Sequence, residues 1–191
     1  MKNKAVFLDR DGTINRDVGY PNSYHLIEIY PYSFQAVRLL NNLGFKVLVI
    51  TNQSGVGRGL IKETELLDIH HRLHQDFLAQ KAQIDAFYYC PHYLFSPEAR
   101  YRQDCSCRKP LPGLGLRAAR DWQLDLSQSY MIGDKVEDIQ FGLNLGVTPI
   151  LVLTGYGEKS RQELASSPHQ PAFIASTLLE AVAWIVDREK K

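Results

Sequence analysis

The sequence predicts an α/β protein built on a parallel sheet. Three observations carry this. Apolar runs of strand length recur at 5–9, 45–50, 84–89, 129–132 and 149–153. They read as continuous hydrophobic stretches, the pattern of strands buried on both faces. Segments with helical spacing separate them, so the strand-helix-strand units should be right-handed parallel crossovers. The runs also end in polar, chemistry-bearing residues, among them Asp9, Thr51 and Gly133-Asp134. Ligands in open α/β sheets gather outside the carboxyl ends of the strands, so these ends should share one crevice.

The first run meets Asp9-Arg10-Asp11-Gly12-Thr13. Gly12 permits a tight turn that aims backbone N–H groups at an anion. Two carboxylates at i and i+2 can divide labour, one attacking and one moving a proton, if a cation offsets their repulsion. Asp-Gly is equally ordinary turn chemistry, so the remaining motifs decide. Residues 15–31 read as a loop, with Gly19-Tyr20-Pro21-Asn22 as its turn. Ser33 is placed to cap a helix over 34–43, stopped by Gly44. The second run ends in Thr51-Asn52-Gln53-Ser54-Gly55-Val56-Gly57-Arg58-Gly59. This G-x-G-x-G spacing is not the dinucleotide fingerprint G-x-G-x-x-G. A helix over 63–81 carries His70, His71 and His74 without an H-E-x-x-H, and they read as a solvated face.

After the third run come Cys90-Pro91-His92 and then Cys105-Ser106-Cys107-Arg108-Lys109-Pro110. Three Cys and one His complete a closed tetrahedral zinc set, which is structural rather than catalytic. The C-x-H and C-x-C pairs depart from the usual C-x₂₋₄-C spacing, and three reduced thiols are the alternative. A loop of this length needs something to fold around, and zinc would supply it. It would also hold Arg108 and Lys109 in place; the bland reading of that pair is two solvated cations. A helix over 112–122 leads to the fourth run and Gly133-Asp134-Lys135-Val136-Glu137-Asp138, which puts Asp134 and Asp138 about one helical turn apart. The next helix stops at Gly146. Residues 159–170 read as mobile, 173–175 as an edge strand, and Thr177 as the cap of a closing helix to about 186.

The chain has 191 residues, 45% hydrophobic and 23% charged, with a net charge of +1. These values suit one globular domain over 1–191, with the zinc loop at 90–107. Near-neutral charge gives no case for nucleic acid or an acidic membrane. No run approaches the roughly 20 residues of a membrane span. Three clustered cysteines and no secretion signal argue against a disulfide framework. A cytoplasmic location and a monomer are expected.

Three acids with hydroxyl, amide and cationic donors around them suit phosphoryl transfer assisted by a hard cation. In this order the motifs resemble the haloacid dehalogenase-like phosphatases: Asp9-x-Asp11-Gly12-Thr13, Thr51, Lys109 and Gly133-Asp134-x-x-x-Asp138. The Cys/His loop is similar to that of the histidinol-phosphatase subfamily. The resemblance implies a three-layer, Rossmann-like, cap-poor fold and a magnesium-dependent phosphatase acting on a sugar bisphosphate. It implies that Asp9 is the nucleophile, Asp11 the general acid and then base, Thr51 a phosphoryl donor, and Lys109 a charge stabiliser that orients Asp9. Magnesium would be held by Asp9, Asp11 through its backbone carbonyl, and Asp134; zinc by Cys90, His92, Cys105 and Cys107. Asp17, Val18, Gly19, Tyr20, Asn52, Gln53, Ser54, Arg108 and Lys135 match substrate-contacting positions, and Asp138 matches a position that either supports the loop or touches the metal. An acid role for Asp11 further implies surroundings that raise its pKa relative to Asp9. The alternatives are a histidinol-phosphate phosphatase and, from another class, a non-catalytic zinc-stabilised binding module.

Overall fold

The computed structural model describes residues 2–190. Its strands are β1 (Ala5–Leu8), β2 (Lys46–Asn52), β3 (Ala86–Cys90), β4 (Tyr130–Gly133), β5 (Thr148–Val152) and β6 (Phe173–Ala175). Its α-helices are α1 (Ser33–Asn42), α2 (Ser54–Gly57), α3 (Glu63–Ala79), α4 (Gly113–Trp122), α5 (Val136–Leu145), α6 (Gly157–Leu164) and α7 (Leu178–Glu189). The six strands form one sheet in the order β3-β2-β1-β4-β5-β6, with every pairing parallel. The predicted parallel α/β sheet is therefore the fold, and Phe173–Ala175 is an edge strand as expected.

Alternation along β1 explains the three layers. Val6 and Leu8 face one side and join Val37, Leu40, Leu73, Phe77, Val182 and Ile185 of α1, α3 and α7. Ala5 and Phe7 face the other and join Leu114, Ala118, Phe141 and Leu145 of α4 and α5. Both faces are apolar because both are covered. The sheet order reverses direction between β1 and β4, and the crevice at such a switch point is where ligands bind. In register, Leu8 lies beside both Val49 and Ile132, so the residues after these three strands emerge together.

Three local expectations are corrected. Ser33 opens α1 from inside its first turn, and its hydroxyl donates to the Ile14 carbonyl at 2.8 Å instead of capping. Residues 159–164 of the stretch read as mobile belong to α6, whose Leu164 packs on Ile139 and Leu151; too few apolar residues signalled this short helix. His70 is buried rather than solvated. The stops at Gly44 and Gly146 hold, at φ +78° and +80°, and the Thr177 hydroxyl accepts from the Glu180 N–H. No helix among the described residues is long and apolar enough to cross a membrane.

Phe77 is fully buried and lies 4.7 Å from the Phe34 ring. Phe77→Ala should therefore destabilise the fold by about 3–5 kcal/mol, read as a lower urea midpoint with an unchanged m-value.

Candidate active site

The ammonium of Lys109 is the centre of the site. It lies 2.6 Å from Asp9 Oδ1, 2.6 Å from Asp138 Oδ1 and 2.8 Å from the Ile50 carbonyl oxygen. The residue is 4% exposed. Its backbone is clamped by the Asn52 side chain, whose amide nitrogen donates to the Lys109 carbonyl (3.1 Å) and whose oxygen accepts from the Lys109 N–H (3.0 Å). Of the adjacent pair, Lys109 is buried in the cleft, while Arg108 is exposed at the mouth.

Around this centre opens a cleft of about 390 Å³. Asp9, Asp11, Thr51, Lys109 and Asp138 line it with Asp17, Gly19, Tyr20, Asn52, Gln53, Ser54, Arg108 and Lys135. Asp17 ties the flap after β1 to the other wall: it accepts from the Gly19 N–H and pairs with Lys135 at 3.1 Å. The Gln53 amide bridges Thr51 Oγ1 and Asp11 Oδ2, both at 2.9 Å. Val18, placed with its neighbours by the sequence, is not among the residues that line the cleft and is 41% exposed.

Asp134 lies beneath the cleft, fully buried, with Oδ2 accepting from the Tyr156 N–H and Oδ1 without a hydrogen-bond partner. Two glycines make room for it. A Cβ on Gly12 or on Gly155 would fall 2.2 or 2.3 Å from Asp134 Oδ2, and both residues have positive φ. Asp138 also accepts from the Lys135 N–H, closing the first turn of α5. Oxygens of Asp9, Asp134 and Asp138 lie within 4.8 Å of one another. Such an all-oxygen anionic set, with an orphaned buried oxygen, suits a hard divalent cation.

The charges follow from these contacts. Burial pushes the Asp9 carboxyl up to about 6, with Lys109 opposing and Asp138 adding to the rise. Burial and the neighbouring Asp9 and Asp138 push Asp134 up to about 8. Burial would favour neutral amines at Lys109 and Lys135, but the acids around each outweigh it and hold both ammoniums. Asp11 runs opposite to the expectation for an acid. Burial alone would raise it, but the Arg10 guanidinium and hydrogen bonds from Arg10, Asn15 and Gln53 bring it below the usual carboxylate range. Arg10, the unspecified middle position of the Asp9-x-Asp11 pattern, is fully buried, and its Nη2 lies 2.7 Å from Asp11 Oδ2. Glu137 and Tyr156 also line the cleft unanticipated. Glu137 stood within the 133–138 motif, whereas only the fold brings Tyr156 across.

The second cluster is as the sequence grouped it. Donor atoms of Cys90, His92, Cys105 and Cys107 all lie within 4.8 Å of one another. Cys107 Sγ is 3.1 Å from both other sulfurs and 3.2 Å from His92 Nδ1. Three sulfurs and an imidazole converging on one point could hold zinc.

Residues 106–181, which carry Lys109 and Asp134, match the HAD-hydrolase-like family model, and relatives that match most of the chain place it in the same class, the haloacid dehalogenase-like hydrolases. The chain is similar to D-glycero-D-manno-heptose-1,7-bisphosphate 7-phosphatase of Thermosynechococcus vestitus, at 41% identity over 97% of this chain and 96% of that one. It is 38% identical to D-glycero-beta-D-manno-heptose-1,7-bisphosphate 7-phosphatase of Yersinia pestis, over 85% of this chain and 87% of that one. Among solved structures it resembles D,D-heptose 1,7-bisphosphate phosphatase from B. bronchiseptica complexed with magnesium and phosphate, with a TM-score of 0.85 at 31% identity. That match covers 97% of this chain and 99% of the other. The chain belongs to this family of haloacid dehalogenase-like phosphatases, and it is an enzyme rather than a non-catalytic binding module.

Removing Lys109's ammonium leaves two buried carboxylates without their cation. Lys109→Met should lower the stability of the metal-free protein by about 3–5 kcal/mol, measured by urea denaturation.

Proposed function

We propose that this enzyme hydrolyses the 7-phosphate of D-glycero-D-manno-heptose 1,7-bisphosphate through an aspartyl phosphate on Asp9. The carrying observation is the buried Asp9 carboxylate gripped by Lys109 at the cleft floor, in a chain whose relatives bear that name. Lys109 fixes the rotation of Asp9 for attack and balances charge on the transferring phosphoryl group. Thr51 donates to a phosphoryl oxygen. Magnesium, held by Asp9, Asp134 and the Asp11 backbone carbonyl, would neutralise the acids and orient the phosphate. Asp138 supports the lysine and the α5 turn rather than the metal.

The Arg10 guanidinium holds the Asp11 carboxyl below the usual carboxylate range, which favours the carboxylate and suits the second half-reaction, where it takes a proton from water. For the first half-reaction it must carry a proton. A phosphate dianion arriving beside it opposes the pull of Arg10 and favours the protonated carboxyl. Arg108 and Lys135 stand at the mouth as partners for the distal phosphate, with Asp17, Val18, Gly19 and Tyr20 forming the flap and Asn52, Gln53 and Ser54 the facing wall. We further propose that residues 1–191 form one catalytic domain, working as a cytoplasmic monomer on a small molecule, and that zinc on Cys90, His92, Cys105 and Cys107 holds the 90–107 loop so that Lys109 enters the cleft.

kcat/KM on both anomers of the heptose bisphosphate and on histidinol phosphate, in one preparation, tests the substrate. A preference for one heptose anomer is expected; a preference for histidinol phosphate overturns the substrate and keeps the chemistry. Asp9→Asn should reduce turnover to background while the protein remains folded. Metal analysis should find one zinc per chain. Its removal should lower Tm, whereas withholding magnesium should stop turnover and leave Tm close to that of the zinc-loaded protein.

A further inference from the structure

We propose that His70 is a positioning residue for Asp11, acting through Arg10: its neutral imidazole holds the Arg10 guanidinium in the rotation that grips the Asp11 carboxylate. This rests on the acid–base role proposed above for Asp11.

The guanidinium is fully buried and is held along two edges. Nε lies 3.1 Å from both Asp11 oxygens and Nη2 lies 2.7 Å from Oδ2. Nη1 lies 3.2 Å from His70 Nε2. A guanidinium has donors only, so Nε2 must be the acceptor, and the ring proton belongs on Nδ1. The imidazole cannot swing away: it stacks on Phe87 at 4.7 Å and 18° and meets Tyr89 edge-on at 5.7 Å. Burial, with the Arg10 charge adding, pushes the imidazole down to about 3, so it stays a neutral acceptor through the working pH range. The charged groups facing it are Arg10 and, behind it, Asp11, both from the end of β1; β3 presents Phe87 and the Tyr89 phenol.

Of the three histidines of α3, His70 alone is fully inside; His71 is exposed and His74 bonds the Ile84 carbonyl. The chain thus runs from α3 through His70 and Arg10 to Asp11, where the Gln53 amide also donates, and it does not pass through Lys109 or Thr51. Loss of the acceptor should disturb proton transfer while leaving substrate binding intact.

The test compares His70→Leu, which removes the acceptor, with His70→Gln, whose amide oxygen restores one. His70→Leu should lower kcat about tenfold or more with KM within about twofold, and His70→Gln should recover to within about threefold of the parent. The loss in kcat/KM for His70→Leu should be larger on the sugar phosphate than on p-nitrophenyl phosphate, whose leaving group needs no proton. Full activity in His70→Leu, or equal losses in both variants on both substrates, would overturn the proposal. Nitrogen-15 NMR of the parent protein gives a reading independent of substrate and of whether His70→Leu folds. Nε2 should be unprotonated at neutral pH; an Nε2–H tautomer or an imidazolium contradicts the proposal. If the parent does not turn over the heptose bisphosphate, the substrate reading fails and the NMR result alone decides the role of His70.

Discussion

The site depends on one buried ammonium. Lys109 Nζ joins Asp9 at the end of β1, the Ile50 carbonyl within β2 and Asp138 in the first turn of α5. A buried lysine is costly unless its charge and donors are satisfied, and here two carboxylates and a carbonyl satisfy them. The reverse also holds, since Asp9 and Asp138 could not lie together in a dry floor without it. The lysine is delivered by a loop, not by a strand, so its backbone needs separate anchoring. Asn52 anchors it at the peptide, and the Cys/His cluster gathers the loop just before it.

Sheet topology explains why these groups meet. The reversal of strand order opens a crevice over β1 and β4; Asp9 and Asp134 follow β1 and β4, and Thr51 lies near the end of β2, all three strands being neighbours in register. The crowding is extreme enough that neither Gly12 nor Gly155 has room for a Cβ beside Asp134. The resulting cluster of buried acids is poorly suited to an isolated protein and well suited to binding a cation and a phosphoryl group. Stability is given up locally so that charge need not be reorganised during the reaction.

Much of this was legible because the apolar runs and the residues that end them obey simple rules. Both-face burial predicted the parallel sheet, and the run ends supplied Asp9, Thr51 and Asp134. The cysteine pairs were recognisable despite their spacing because four donors fell within one loop. What escaped notice depended on direction rather than identity. His70 looked like one of three surface histidines, since a helix of mixed polarity does not show which polar residue turns inward. Arg10 sat between two acids, and nothing in its neighbours reveals that it is buried against Asp11 and reverses the expected order of the Asp9 and Asp11 pKa values. Tyr156 reaches Asp134 only because β4 and β5 are adjacent.

The central claim is that the carboxylate gripped by Lys109 carries the phosphoryl group. The most direct measurement is to quench the magnesium-loaded enzyme during turnover of the heptose bisphosphate, reduce any acyl phosphate with borohydride, and locate the modified residue by peptide mass spectrometry. The account predicts conversion of Asp9 to homoserine in the peptide that also contains an unmodified Asp11. Modification at another residue, or an unmodified Asp9 under conditions of rapid turnover, would contradict it.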